Sequence, residues 1–365
     1  MYRRIVSAAA ALLVSLSCPA LARDIVDAAG RTVAVPDRVS RVICSGSGSL
    51  RLLTYLQAEE MAVAVDDMET RRQKFDARPY ALATPRFKTL PVFGEFRGFD
   101  HPERILTLDP QPDVILKTVA TGAGIDSAEL QDKTGLPVVT IDFGDLGKGR
   151  DRLYTALRMM GEIVDRKERA EKVIAFFEER IADLKRRSKT DGASPPTAYI
   201  GGIAHKGPHG FQATEPGYPP FEFVGLRNTA KGDGLTGNLS HADVAKEMIV
   251  QWNPDFLFLD LSTLQLGDKQ GGLFELRTDP AYRSLSAVKA GRVYGVLPYN
   301  WYSQNFGSIL ANAYYIGSLV HPETFKDIDP AAEADAIYTF LVGKPVFPAM
   351  NAAFGNLAYA AVPMQ

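Results

Sequence analysis

Between Asp165 and Arg187 the sequence runs DRKERAEKVIAFFEERIADLKRR, and a chain with this stretch near its middle has few ways to fold. Ala170, Val173, Ile174, Phe177, Ile181 and Leu184 recur at steps of three and four, which places them on one apolar stripe of a helix. Asp165 with Glu168 three residues later makes a capping-box pattern at its start. Lys185, Arg186 and Arg187 gather at the end, where the helix dipole favours cations. At 1.5 Å per residue the rod is roughly 33 Å long. A polar, Pro-containing run, SKTDGASPP, follows it. Such a rod is either a surface helix of one large domain or a strut between two, and the flanking halves decide.

With 46% hydrophobic and 23% charged residues, the 365-residue chain has the composition of a globular protein and the length for two domains. A net charge of −2 argues against a nucleic-acid or anionic-membrane partner. The first 22 residues stand apart from the fold. Met1–Arg4 is basic, Ile5–Leu16 is apolar but too short to span a bilayer, and Ala20-Leu21-Ala22 is an A-x-A cleavage pattern. Residues 1–22 therefore read as a secretory signal peptide, removed from the mature protein. The competing reading, lipid attachment at Cys18, lacks the usual apolar residue three positions upstream. Loss of Cys18 leaves Cys44 alone, without an internal disulfide partner. Cys44 ends the apolar run RVIC and reads as a small buried residue.

Both halves alternate short β-rich runs with helical stretches, the pattern of parallel strands and crossover helices. A hairpin over 24–37 leads in. Strands are expected at Arg41–Cys44, Met61–Val65, Asp113–Lys117 and Val138–Ile141, then again at Thr197–Ile200, Phe256–Asp260 and Arg292–Leu297, with a late helix at Ala331–Leu341. A faint repeat links the halves. Glu103 opens ERILTLDPQPDVIL and Glu247 opens EMIVQWNPDFLFLD; in each, a Pro follows seven residues later and a Pro-Asp pair leads into an apolar strand. The first copy carries the extra pair Pro110-Gln111.

In the order of these features the chain resembles the periplasmic substrate-binding proteins of ABC importers for iron–siderophore, haem and cobalamin. The opening DAAGRTVAVPDRVSRVI is similar to that family's start, and MMGEIVDRKERAEKVIAFFEERI to its backbone helix and approach. The resemblance implies an α/β fold of two Rossmann-like lobes with parallel sheets, bridged by one long backbone α-helix. The expected division is 23–164 for the first lobe, 165–187 for the linking helix and 188–365 for the second lobe, with ligand between the lobes. It further implies that Glu103 and Glu247 dock the lobes onto arginines of an ABC permease, and that a monomer delivers a small-molecule metal complex, an iron(III) chelate of the siderophore type. Haem, cobalamin, a divalent metal and a molybdate-like oxyanion are alternatives.

Three loops leave the ends of expected strands, where parallel sheets bind ligands. The first is CSGSGSLRLL. Gly46 and Gly48 start a dinucleotide fingerprint, and Asp66 lies twenty residues after Gly46, but Arg51 holds the third glycine position and secreted proteins rarely meet NAD. It reads as a tight turn or as a rim in which Ser45, Ser47, Ser49 and Arg51 hold an anionic ligand edge. The second, residues 201–223, collects His205, His209, Glu215 and Tyr218, donors suited to iron. Gly207 and Pro208 break the helix that two histidines four apart would need to share a zinc ion. The third, LPYNWYSQNF, offers Tyr299, Trp301 and Tyr302 as an aromatic wall, with Asn300 and Asn305 as polar groups. Arg86, Arg97 and Lys117 are further cations, each by itself a surface charge. No G-x-S-x-G or H-E-x-x-H motif is present. The chain is expected to be a binding protein without a cofactor; a secreted metal-dependent hydrolase is the enzyme alternative.

Overall fold

The computed structural model describes residues 22–71, 73–119, 124–189, 194–232 and 241–365. The segment read as a signal peptide, apart from Ala22, lies outside them. Among the described residues no helix is long and apolar enough to cross a membrane.

Strands β1 (Ala22–Val26) and β2 (Thr32–Pro36) form the expected lead-in hairpin. Asp27 ties it to the first lobe, accepting from the Thr140 amide at 3.1 Å. That lobe holds β3 (Val42–Ser45), β4 (Ala62–Asp66), β5 (Val92–Glu95), β6 (Phe99–Asp100), β7 (Val114–Thr118) and β8 (Val138–Ile141), in the spatial order β6-β5-β4-β3-β7-β8. All neighbours are parallel except β5 and β6. The second lobe holds β9 (Thr197–Gly201), the short pair β10 (Ala213–Thr214) and β12 (Ala242–Asp243), β11 (Arg227–Asn228), β13 (Phe256–Asp260) and β14 (Val293–Val296). Its main sheet is parallel, in the order β11-β9-β13-β14. The terminal segment closes the β14 edge, with the Val362 amide donating to Val293 O at 2.8 Å.

The half-repeat has a structural meaning. In the first lobe the Pro-Asp aspartate, Asp113, accepts from the Ser40 amide at 2.8 Å and the Ser40 hydroxyl at 3.0 Å. In the second, Asp255 accepts from the Thr197 amide at 2.8 Å and the Thr197 hydroxyl at 2.7 Å. Each carboxylate pins the start of the neighbouring parallel strand, which sets the register of the sheet centre. The Thr197 amide, then its hydroxyl, hold Asp255 below the usual carboxylate range.

The bridging helix spans Lys167–Arg187, about 32 Å, and buries every residue of the expected stripe together with Phe176. Its start differs from expectation. Asp165 makes no cap; it sits at φ 53°, past the end of the preceding helix Arg150–Ile163. The Arg166 amide donates back to Gly161 O at 2.6 Å, so these residues terminate one helix before the next begins. The strut is fastened on both sides. Tyr154 donates to Glu178 at 2.7 Å on the first-lobe side, and Arg187 pairs with Asp327 at 2.6 Å on the second. Arg169 donates to Tyr55 O at 2.9 Å and to Phe340 O, joining a first-lobe helix to Pro330–Val342. That late helix packs on both lobes, and its Phe340 ring stacks on Phe176 with centroids 4.0 Å apart. A helix not anticipated from sequence, Phe306–Val320, is buried over its first twelve residues and forms the centre of the second lobe.

Candidate functional site

Strand order reverses between β3 and β7 in the first lobe and between β9 and β13 in the second. Such switch points open a crevice beyond the strand ends. The loop after β3 and the loop after β9 therefore stand where ligands bind in sheets of this kind, and 299–305 follows β14.

The first loop owes its shape to two glycines. Gly46 has φ 78°, and a Cβ there would stand 2.2 Å from Thr118 Oγ1. Gly48 has φ 98°, and a Cβ there would stand 2.9 Å from Arg51 Nη2 and 3.0 Å from the Phe143 ring. They make room for neighbours rather than for a pyrophosphate. Ser45 and Ser49 are not free for a ligand. Ser45 donates to Asp100 at 2.8 Å and accepts from Lys117 Nζ at 3.1 Å, and Ser49 donates to Leu116 O at 2.9 Å. Lys117 is no surface charge: it is buried against Asp100 at 2.5 Å. Burial raises the Asp100 carboxyl above its usual value, with Lys117 and Ser45 opposing that. Arg86 is held by Glu59 O at 2.8 Å. Cys44 is buried, and burial pushes its thiol up to about 12, so it is inert at neutral pH.

Arg51 differs from all of these. It is 1% exposed, and its Nε, Nη1 and Nη2 have no hydrogen-bond partner among the described residues. The guanidinium lies between the lobes. Its Cζ is 5.4 Å from the ring centroid of Phe143, beyond β8, and 4.7 Å from that of Phe306, at the start of the central helix of the second lobe. Burial pushes its pKa down, with Tyr55 and Tyr80 opposing that. Two aromatic faces recover only part of the hydration that a buried cation loses, and an arginine with five unmet donors is an incomplete structure. Nearby in sequence to Phe306, Gln304 Oε1 and Asn305 Oδ1 are likewise buried without hydrogen-bond partners among the described residues. Ser47 is half-buried.

The aromatic wall expected at 299–305 is mostly committed elsewhere. Tyr299 is buried and donates to the buried Glu215. Tyr302 donates across the seam to Asp66, its oxygen accepts from the Arg97 amide at 3.3 Å, and its ring meets Phe96 at 6.4 Å. Asn305 braces the loop, donating to Tyr299 O, Trp301 O and Ser303 O at 3.0–3.2 Å. Tyr218 is buried and its oxygen accepts from Asn312 at 3.3 Å. Trp301 remains half-buried, and the Arg97 side chain is exposed. An aromatic next to a strand end looks the same in sequence whether or not its hydroxyl already has a partner. Phe143, Phe306 and His241 were not singled out from the sequence; Phe143 was findable, since it stands two residues past an expected strand.

His205 and His209 sit together, as expected of their loop, and His241 joins them: its ring lies 4.5 Å from that of His205 and 5.1 Å from that of His209. His241 comes from elsewhere in the chain, so this grouping does not need the helix that Gly207 and Pro208 break. Glu103 and Glu247 are exposed, each in the first turn of a short helix, Pro102–Leu106 and Lys246–Trp252. These helices occupy matching positions, each leading into the strand beside the first strand of its lobe.

The periplasmic binding protein profile matches residues 42–299. The chain belongs to the periplasmic binding protein family. Proteins of this family bind small ligands outside the cytoplasm and deliver them to the permeases of ABC importers. The chain is 23% identical over 352 residues to the molybdate-binding protein MolA of Haemophilus influenzae, covering 88% of this chain and 91% of that one. The structure of MolA bound to molybdate superposes with a TM-score of 0.65 at 18% identity, covering 88% and 98%. A periplasmic solute binding protein of Veillonella parvula superposes at 0.70 with 17% identity over 94% and 98%. A petrobactin-binding protein of Bacillus subtilis, YclQ, gives 0.58 at 16% identity over 83% and 99%. The two-lobed fold with its single bridging helix is that of these proteins.

Buried carboxyls at the seam make stability depend on pH. Burial raises Glu215 to about 8, despite the Tyr299 hydroxyl, and Asp260 to about 7, despite Ser262. Burial and then Glu69 raise Asp66 to about 7. The folded protein therefore keeps protons that the unfolded chain releases near pH 4. The stability from these groups is complete below pH 4 and is lost as pH rises through 7 to 8. Burial depresses His205 and His241, which are mostly neutral in both states above pH 7, so the slope there belongs to the carboxyls. The urea midpoint should fall between pH 7 and 8.5, and Glu215→Gln should flatten that fall. An unchanged slope in the variant would remove Glu215 from this account.

Proposed function

We propose that this chain captures a small inorganic oxyanion between its lobes, molybdate or tungstate in the first instance, and delivers it to an ABC permease. The observation that carries the reading is Arg51, a buried guanidinium with no hydrogen-bond partner among the described residues, placed between the two lobes. An anion with several acceptor oxygens supplies what Arg51 lacks, and a fixed donor fork suits it better than a lysine would. The similarity to MolA along most of both chains supports the same choice. Export through a cleaved signal peptide belongs to this reading, as does binding rather than hydrolysis.

The iron(III) chelate expected from the sequence is the second reading. The half-buried Trp301 and the exposed Arg97 favour it, as an aromatic and a cationic group for an organic shell.

Titration calorimetry on the untagged mature chain separates the two. Molybdate and tungstate should bind with micromolar or tighter Kd, about −8 kcal/mol or better. Sulfate, phosphate, a ferric catecholate, haem and cobalamin should bind at least about 100-fold more weakly. Tight binding of a ferric chelate or haem, with none of molybdate, would overturn the oxyanion reading and favour the second.

A further inference from the structure

Three of the five histidines of the chain meet in the second lobe, apart from Arg51 and its aromatic neighbours. Backbone pairing fixes them there. β10 pairs with β12 in the register Ala213 with Asp243 and Thr214 with Ala242, which brings His241 and Asp243 beside the loop that carries His205 and His209. The loop itself is anchored: His209 O accepts from Thr263 at 2.7 Å, and the Phe211 amide donates to Glu275 at 2.9 Å.

The donor atoms are prepared for a cation. His209 Nε2 lies 2.7 Å from His205 O. A carbonyl only accepts, so Nε2 carries the proton and Nδ1 keeps its lone pair; a backbone carbonyl orients metal-bound histidines in this way. His241 Nε2 is buried without a hydrogen-bond partner among the described residues, and lies 3.9 Å from Asp243 Oδ1. One donor atom from each of His209, His241 and Asp243 lies within 4.8 Å of the others. Ligands about 2.1 Å from a tetrahedral ion are about 3.4 Å apart, so a side-chain adjustment of roughly 1 Å completes the set.

We propose that His209, His241 and Asp243 form a binding site for a late divalent transition-metal ion, Zn2+, Ni2+ or Cu2+. Two imidazoles and one carboxylate suit these ions and leave a fourth position open to water or to a donor atom of another molecule. The ring of His205, within 20° of parallel to His241, covers one side.

The test uses untagged mature protein stripped with a chelator and titrated separately with ZnCl2, NiCl2 and CoCl2. One equivalent should bind, and Co2+ should give the visible bands of a low-coordinate N/O site. His209→Ala and His241→Ala should each weaken binding by more than the about 10–100-fold that loss of an outer partner costs. Asp243→Asn should weaken it less. His321→Ala and Arg51→Met should leave it unchanged, which keeps the result independent of the oxyanion reading. Circular dichroism confirms that each variant is folded. Undiminished binding by the folded double variant of His209 and His241, or no binding by the parent, would overturn the site.

Discussion

Replacing Arg51 with methionine should abolish oxyanion capture and, in the same protein, raise the melting temperature of the ligand-free form. Truncating one member of a buried, hydrogen-bonded charge pair costs about 2–5 kcal/mol of binding, roughly 30-fold to several thousand-fold in Kd. The ligand-free protein meanwhile carries a buried cation with all three side-chain nitrogens unpartnered among the described residues. Exchange of buried ions for apolar groups of similar volume is often stabilising, by about 1–4 kcal/mol. Methionine fits between Phe143 and Phe306 without the guanidinium. Arg51→Lys should fall between the two proteins in affinity, because an ammonium keeps the charge but not the fork. Thermal shifts with and without molybdate read both effects at once. The parent should gain stability with ligand as mass action requires, and the variant should start higher and gain nothing. A variant that melts lower and still binds would mean that Arg51 holds the lobes together and does not hold the ligand.

Changing Glu103 and Glu247 together to alanine should stop transport while leaving ligand affinity within a few-fold. Both carboxylates are exposed in the first turn of a short helix, where the helix dipole favours an anion. The helices are held at matching places on the two lobes, because Asp113 and Asp255 pin the following strands in the same manner. Two anions fixed on one rigid frame can engage a symmetric pair of cationic patches. The loss of both should reduce docking at least about 100-fold, with each single variant intermediate. Ligand-stimulated ATPase of the reconstituted transporter measures docking, and calorimetry measures capture. Full stimulation by the double variant would show that the permease reads other surfaces.

The features legible in the sequence are those written in local spacing. The stripe from Ala170 to Leu184 could only be a helix buried along one side, and each expected strand lies within a residue or two of its observed place, because strands of a parallel sheet are apolar on both faces. The half-repeat showed in its Pro-Asp pairs. The helix Phe306–Val320 escaped for the opposite reason: it is buried nearly all round, so it has no polar face to give a period. The candidate site was legible only as a set of loops. Which members are free depends on partners far away in the chain. Ser45 is used by Asp100 and Lys117, Tyr299 by Glu215, and Tyr302 by Asp66, across separations that no motif spans. Arg51 was named among several polar residues; only the packed fold shows that its donors have no partner among the described residues. His241 became a neighbour of His205 and His209 only through the pairing of β10 with β12. Periodicity is a property of the chain and survives in the sequence. Hydrogen-bond satisfaction is a property of the closed three-dimensional set of donors and acceptors, and only the tertiary structure decides it.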